Sequence, residues 1–349
     1  MNKTIIAGIG SYVPEKVVTN EDLTQLMDTS DAWITERTGI KERHYAKKFE
    51  ETTATMGAEA AKQAIERAGI TAEAVDFVIF ATLSPDYYFP GCGVLVQRML
   101  GLGEVGALDI RNQCSGFIYG LSIADQFIKT GMYKNILLIG SETHSYALDF
   151  STRGRNVSVI FGDGAAAVVL QPSPDSNRGI LSTHLHSDGS DAEILSMPNP
   201  GFHGGVHNEK WRPPIPENPY ASLFVNQELI DKEDFYPYMD GQAVFKKAVV
   251  KMPEAVMEAL ATNHLTTKDI DLLITHQANL RISQFIQQKL QLTDDRVFNN
   301  IQKYGNTTAA SIPLALCEAW EAGKIKKGDL VCMAAFGSGF TWGSAIMRW

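Results

Sequence analysis

The chain repeats itself, and the repeat limits what it can fold into. Ala64 to Thr82 reads AIERAGITAEAVDFVIFAT, and Ala259 to Gln277 reads ALATNHLTTKDIDLLITHQ, 195 residues further on (64 to 259). Each is a helix end, an apolar residue plus Thr, a short acidic turn, an Asp and then a buried strand. Cys114-Ser115 with a helix pattern closed by Gly131 matches Asn306-Thr307 with a helix closed by Gly323, at an offset of 192 (114 to 306). Phe161-Gly162-Asp163-Gly164 ahead of an apolar strand matches Phe336-Gly337-Ser338-Gly339, at an offset of 175 (161 to 336). Three matches in one order define two copies of an α/β design. Each copy alternates strands and helices around a mostly parallel sheet. The shorter last offset predicts an extra connection in the first copy near residues 140–160.

The stretch Asp109 to Thr130, DIRNQCSGFIYGLSIADQFIKT, carries the first chemistry. A strand-like run from Val105 to Ile110 leads into Cys114, and apolar positions at Phe117, Leu121, Ala124 and Ile128 follow at helical spacing. Cys114 is thus expected at a strand end and a helix N-terminus. Unpaired amides and the helix dipole there stabilise negative charge and lower a thiol pKa. Two readings are open: a nucleophile, or a core cysteine packing as a small hydrophobe.

Composition narrows the class. With 349 residues the chain holds one large domain or two medium ones. A net charge of −9 argues against a general nucleic-acid surface. The four cysteines (Cys92, Cys114, Cys317, Cys332) show no metal spacing and fit free thiols in a reducing cytoplasm. The N-terminus lacks a signal-peptide pattern, and no run reaches the roughly 20 apolar residues of a membrane span. Trp33 and Arg37 lie in TSDAWITERTGIKER, where a Trp beside an Arg either stacks on a nucleotide base or belongs to an ordinary amphipathic helix. Residues 197–242 hold seven of the fourteen prolines and several aromatics, which argues for an ordered lid. Its His203 and His207, near Trp211, have no carboxylate or cysteine at ligand spacing, so no metal is expected.

Equivalent positions in two packed copies face one another, so Cys114 should face Asn306. The strand Asp271 to Thr275 ends at His276, and ligands of open α/β sheets bind beyond the carboxyl ends of strands. Cys, His and Asn converging form a nucleophilic acyl-transfer set. The turns FGDG and FGSG supply amides for an oxyanion hole. For His276 a satisfied core histidine stays open as an alternative, and for Asn306 a helix cap.

These residues resemble a known family. Cys114 with its helix, THQANLRI (275–282), KYGNTTAASIP (303–313), FGSGFTWGSA (336–345), TSDAWITERTGIKER (29–43) and VIFGDGAAAVVL (159–170) together resemble the β-ketoacyl-acyl-carrier-protein synthase III family of the thiolase superfamily. The resemblance implies a thiolase-like fold, with two pseudo-twofold-related βαβαβ halves in a five-layered α-β-α-β-α arrangement. It divides the chain into 1–172 carrying the cysteine, a connecting and lid segment 173–242, and 243–349 carrying the histidine and asparagine.

It also implies a Cys114, His276, Asn306 catalytic set with the amides of Cys114 and Ser338 as oxyanion hole. Trp33, Arg37, Arg155 and Asn279 would contact coenzyme A. Phe89 would reach the partner's acyl pocket in a homodimer. Lys246, Lys247, Arg281 and Lys289 would dock an acidic acyl carrier protein. The implied reaction condenses an acyl-CoA with malonyl-acyl carrier protein, with loss of CO₂, in initiation of fatty-acid synthesis, and needs no metal or organic cofactor. The alternatives are a relative using a longer acyl-CoA in a special pathway, and a non-condensing acyltransferase or thioesterase. Two departures from the family stand out: Ser338 adds bulk where some members have glycine, and the 197–242 segment is long. A long lid predicts a primer of about C6 to C10, since each buried CH₂ is worth about 0.8 kcal/mol.

Overall fold

A computed structural model describes residues 3–203, 206–207, 209, 222, 224–232 and 235–349. The strands that build its two main sheets are β1 (Thr4–Tyr12), β2 (Phe77–Ala81), β3 (Gly106–Ile110), β4 (Ile136–Glu142), β5 (Gly164–Pro172), β6 (Gly179–Ser187), β7 (Leu272–Thr275), β8 (Leu330–Gly337) and β9 (Thr341–Arg348). The helices that matter here are α1 (Asp31–Thr38), α2 (Thr53–Arg67), α3 (Cys92–Leu100), α4 (Gly116–Lys129), α5 (Gly241–Thr262), α6 (Leu280–Leu290) and α7 (Ser311–Glu321).

The first sheet has the order β1-β5-β4-β2-β3, with β5 alone antiparallel to its neighbours. The second has the order β7-β8-β9-β6, with β9 antiparallel to both flanking strands. A parallel bridge from Leu273 to Val297 extends its edge where β3 stands in the first sheet. The repeat holds in register: Phe77 pairs with Ile136 in one sheet and Leu272 with Val331 in the other. β6 belongs to the second sheet through β9, although the sequence leaves 179–187 in the connecting segment 173–242.

Period-2 alternation sorts the side chains into layers. Ile136 and Leu138 of β4 face a core shared with Val331, Met333 and Ala335 of β8. Between the sheets lie α4 and α7, whose Phe117, Leu121 and Ile128, and Ile312, Leu316 and Ala319, fill that core. Leu137 and Ile139 turn outward to α2 and α3. Leu330, Cys332 and Ala334 turn outward to α5 and α6. The result is the five-layered α-β-α-β-α thiolase arrangement. The central helices are mostly apolar, and their charged residues fall toward the C-terminal ends, at Asp125 and Lys129 of α4 and Glu318 and Glu321 of α7. The inner glycines of TIIAGIG let α2 come close: a Cβ on Gly8 would fall 2.1 Å from the Ala64 carbonyl oxygen.

Gly131 and Gly323 close α4 and α7 from the left-handed region (φ 75° and 66°) as C′ glycines. The short helix Asn20–Thr24 is capped by Thr19, which forms a capping box with Asp22. Asn20, the first residue of that helix, is buried and donates to Asp31 and the Ile40 carbonyl. The extra connection of the first copy is present: residues 143–163 join β4 to β5, where 338–340 suffice between β8 and β9. In the 197–242 segment, Phe202 stacks on Phe224 at 4.8 Å and both meet Tyr88 edge-on. Trp211 lies outside the described residues.

Candidate active site

Cys114 sits on a 3₁₀ turn, Gln113–Ser115, that feeds α4, and it is 7% exposed. The backbone N–H groups of Cys114 and Ser338 both favour the anionic form of its sulfur. These are the two amides expected to form the oxyanion hole. Gly337 makes the approach possible, since a Cβ there would lie 2.8 Å from the Cys114 Cβ. The Ser338 hydroxyl donates to the Leu195 carbonyl, so that bond occupies the group that a glycine would lack.

The expected lowering of the thiol pKa is not what the structure gives. Burial pushes the Cys114 thiol up to about 12, the Glu142 carboxylate adds to the rise, and the two amides oppose it only partly. Desolvation of a sulfur anion outweighs the amides and dipole of one helix N-terminus. At rest the residue is a thiol.

His276 follows β7, with its N–H on the Ala334 carbonyl of β8. Its Nδ1 lies 2.6 Å from Ser311 Oγ, at the start of α7. That oxygen also accepts the Gln277 N–H at 3.3 Å, and among the described residues Nδ1 is the acceptor for its hydroxyl hydrogen. The ring proton then sits on Nε2, which is buried without a partner among the described residues. Burial, reinforced by nearby His144, lowers the pKa of His276 to about 3, so the imidazole is neutral.

Asn306 lies across from Cys114 in the fold, as the repeat predicts. The Thr308–Ala310 turn that follows it packs on the cysteine's turn, bringing the Ala309 Cβ within 3.5 Å of where a Gly116 Cβ would stand. Asn306 Oδ1 accepts the Thr308 N–H at 2.8 Å, which leaves Nδ2 as its open donor. It is not a side-chain cap of α7, whose N-cap is Ala310. Thr308, Ser311, Glu142 and His144 complete the surroundings and were not singled out from sequence. The available signal was two ionisable residues ending an apolar strand, in ILLIGSETHS. Glu142 accepts from Thr82, Leu83 and Ser84, and burial raises its carboxyl to about 7 against the opposing pull of those donors and the Ala309 amide.

A second cluster stands on α1. The Arg37 guanidinium lies 4.5 Å from the Trp33 ring centroid, and that of Arg155 5.4 Å from it. Asn279 Nδ2 donates to the Arg37 carbonyl at 2.8 Å while its oxygen caps α6. Both ends of that side chain are therefore engaged, one bracing Arg37 and the other capping α6. Phe89 stands apart from the thiol, 82% exposed beside Tyr87 and Tyr88.

The four basic residues are less of a unit than the sequence suggests. Lys246 and Arg281 are exposed near the N-terminal ends of the adjacent helices α5 and α6, with Arg281 over Phe245. Lys247 is ion-paired to Asp191, with Asp188 at 4.0 Å. Lys289 lies eight residues along α6 from Arg281, about 12 Å at 1.5 Å per residue. Among the described residues no group of three His, Cys, Asp or Glu side chains could hold a metal ion, and no helix is long and apolar enough to cross a membrane.

Two repeated α/β halves, with a buried cysteine on the inner turn of one and an asparagine ahead of the matching turn of the other, fit a thiolase-fold condensing enzyme that transfers acyl groups. Comparison with known proteins agrees. Residues 108–189 match the family model of 3-oxoacyl-[acyl-carrier-protein] synthase III, and residues 260–349 match the model of its C-terminal part. The chain is 44% identical over 344 residues to beta-ketoacyl-[acyl-carrier-protein] synthase III of Caldanaerobacter subterraneus subsp. tengcongensis, covering 99% of this chain and 97% of that one. It is 45% identical over 350 residues to the same enzyme of Rhodospirillum centenum, covering 99% of both. The crystal structure of 3-oxoacyl-[acyl-carrier-protein] synthase III from Aquifex aeolicus superposes with a TM-score of 0.86 at 43% identity over 100% of both chains. The chain belongs to the β-ketoacyl-acyl-carrier-protein synthase III family.

Proposed function

We propose that the chain condenses an acyl-CoA primer with malonyl-acyl carrier protein, starting a fatty-acid chain through acylated Cys114. The Cys114 sulfur bonds to the thioester carbonyl carbon, the bond to the coenzyme A sulfur breaks, and the thiol proton leaves with coenzyme A. The amides of Cys114 and Ser338 hold the developing oxyanion. The malonyl group then loses CO₂, and the electron pair left behind becomes a thioester enolate. Its oxygen receives hydrogen bonds from His276 Nε2 and Asn306 Nδ2. The enolate carbon attacks the acyl-cysteine carbonyl, the carbon–sulfur bond breaks, and the Cys114 sulfur takes up a proton. Decarboxylation drives the step, so the cycle draws on no metal or organic cofactor.

The observation that carries this reading is the pair of unspent donors, His276 Nε2 and Asn306 Nδ2, in a molecule whose buried thiol has two backbone amides favouring its anion. Simple acyl transfer or thioester hydrolysis has no enolate for that pair to hold. Trp33, Arg37 and Arg155 bind the nucleotide end of coenzyme A, with Asn279 bracing Arg37. Lys246 and Arg281 receive the acidic carrier protein, and Lys247 and Lys289 extend that field. A homodimer covers the exposed Tyr87–Phe89 patch, with Phe89 at the partner's acyl pocket. Four free thiols fit a cytoplasmic setting.

The test is mass spectrometry of the protein after exposure to acyl-CoA. Cys114→Ser should abolish labelling, and an adduct on Cys92, Cys317 or Cys332 overturns the assignment. His276→Ala and Asn306→Ala should still self-acylate but lose about 10²–10³ in malonyl decarboxylation.

A further inference from the structure

Two residues beyond strand β4 stands a buried histidine that the chemistry above does not use. His144 is 6% exposed, and its ring stacks on Phe161 at 4.8 Å. Its Nδ1 lies 3.0 Å from the Gly162 carbonyl oxygen. A carbonyl only accepts, so Nδ1 carries the hydrogen. Burial holds the ring neutral, lowering its pKa to about 4. A neutral ring protonated on Nδ1 has a lone pair on Nε2. That lone pair meets Thr308 Oγ1 at 2.8 Å, so the threonine hydroxyl donates to it. Thr308 has φ +49°, a left-handed conformation that a β-branched residue rarely adopts. Such a turn needs an external anchor. From it the Thr308 N–H donates to Asn306 Oδ1 at 2.8 Å, which fixes which end of the amide faces the thiol.

We propose that His144 is a positioning residue for Asn306, anchoring Thr308 so that the asparagine oxygen is held and its Nδ2 is presented to the enolate. The inference rests on the reading of Asn306 as an enolate donor. A second observation supports it independently. The two halves brace each other reciprocally. The end of β8 braces the Cys114 turn through Gly337 and the Ser338 amide. The end of β4 braces the Thr308–Ala310 turn in the same way: a Gly140 Cβ would lie 2.5 Å from the Ala309 oxygen, and the Ala309 amide favours the Glu142 carboxylate. His144 is the last member of that brace.

The test separates the two nitrogens. In His144→Asn the side chain still reaches Gly162 but not Thr308. In His144→Gln an amide oxygen stands where Nε2 stood. Self-acylation by acyl-CoA and CO₂ release from malonyl-acyl carrier protein are measured apart. His144→Asn should lower CO₂ release about ten-fold or more, with self-acylation within about two-fold of the parent. His144→Gln should recover most of the loss. Thr308→Val should match His144→Asn, and the double variant should be no worse than either alone. Thr308→Val also decides the matter if His144→Asn fails to fold. Full CO₂ release in His144→Asn, equal losses in both half-reactions, or no recovery in His144→Gln overturns the proposal. Asn306→Ala is read alongside: retained CO₂ release there refutes the donor role itself, whereas its loss there with retention in His144→Asn refutes only the positioning.

Discussion

Gly337→Ala is the sharpest perturbation the site allows. The added Cβ would fall 2.8 Å from the Cys114 Cβ and 3.0 Å from the Cys114 nitrogen. Carbon atoms in contact sit about 3.5–4.0 Å apart, so about 0.7–1.2 Å must be recovered. The backbone of Gly337 lies outside the left-handed region, so alanine meets only a steric penalty. Neither side yields freely. Gly337 is in register with Thr341 of β9, and the cysteine's turn is backed by Ala309. Overpacking of this kind costs about 1–3 kcal/mol of stability. A shift of about 1 Å in the thiol relative to its amides should slow acylation by about 10²-fold. Quench-flow acylation read by intact mass gives the rate, and urea unfolding gives the stability. Gly189→Ala, whose Cβ would meet nothing within 4 Å, is the control and should leave both unchanged. A folded Gly337→Ala protein that acylates within about two-fold of the parent refutes the reasoning.

Three further outcomes are expected. Alkylation of Cys114 by iodoacetamide, followed by peptide mass spectrometry, should climb about ten-fold per pH unit from about pH 7 to 9.5, because a thiol pushed up to about 12 is mostly protonated throughout. A plateau near neutrality contradicts this. Lys246→Glu with Arg281→Glu should raise KM for the malonyl carrier protein and spare acyl-CoA self-acylation; equal loss of both half-reactions speaks against docking there. Primers of about C6 to C10 should compete with acetyl-CoA, since four more buried CH₂ groups are worth about 3 kcal/mol. A steep preference for acetyl-CoA in kcat/KM excludes that lid effect.

Much of this was legible in the sequence because repetition is a global signal. The matched segments set the Cys114 turn against the turn after Asn306, and put His276 beyond a strand end. What stayed hidden depends on contacts between distant residues. Ser311 and Thr308 orient the two donors through bonds to a ring and an amide that spacing alone does not reveal. The thiol was misjudged because a helix N-terminus is local and visible, whereas burial comes from all five layers at once. Lys247 reads as a free cation until Asp191 folds onto it. β6 reads as linker because its partner β9 is more than 150 residues away.

The register of the two sheets also bears on how the chain evolves. Phe77–Ile136 and Leu272–Val331 occupy the same place in each copy, yet the turns beside them hold cysteine in one and asparagine in the other. Under the proposed chemistry the two copies do different work: one carries the nucleophile, the other the enolate donors. The duplication therefore offers no redundancy. Damage to either turn is unmasked at once, and neither half can serve as a spare for the other.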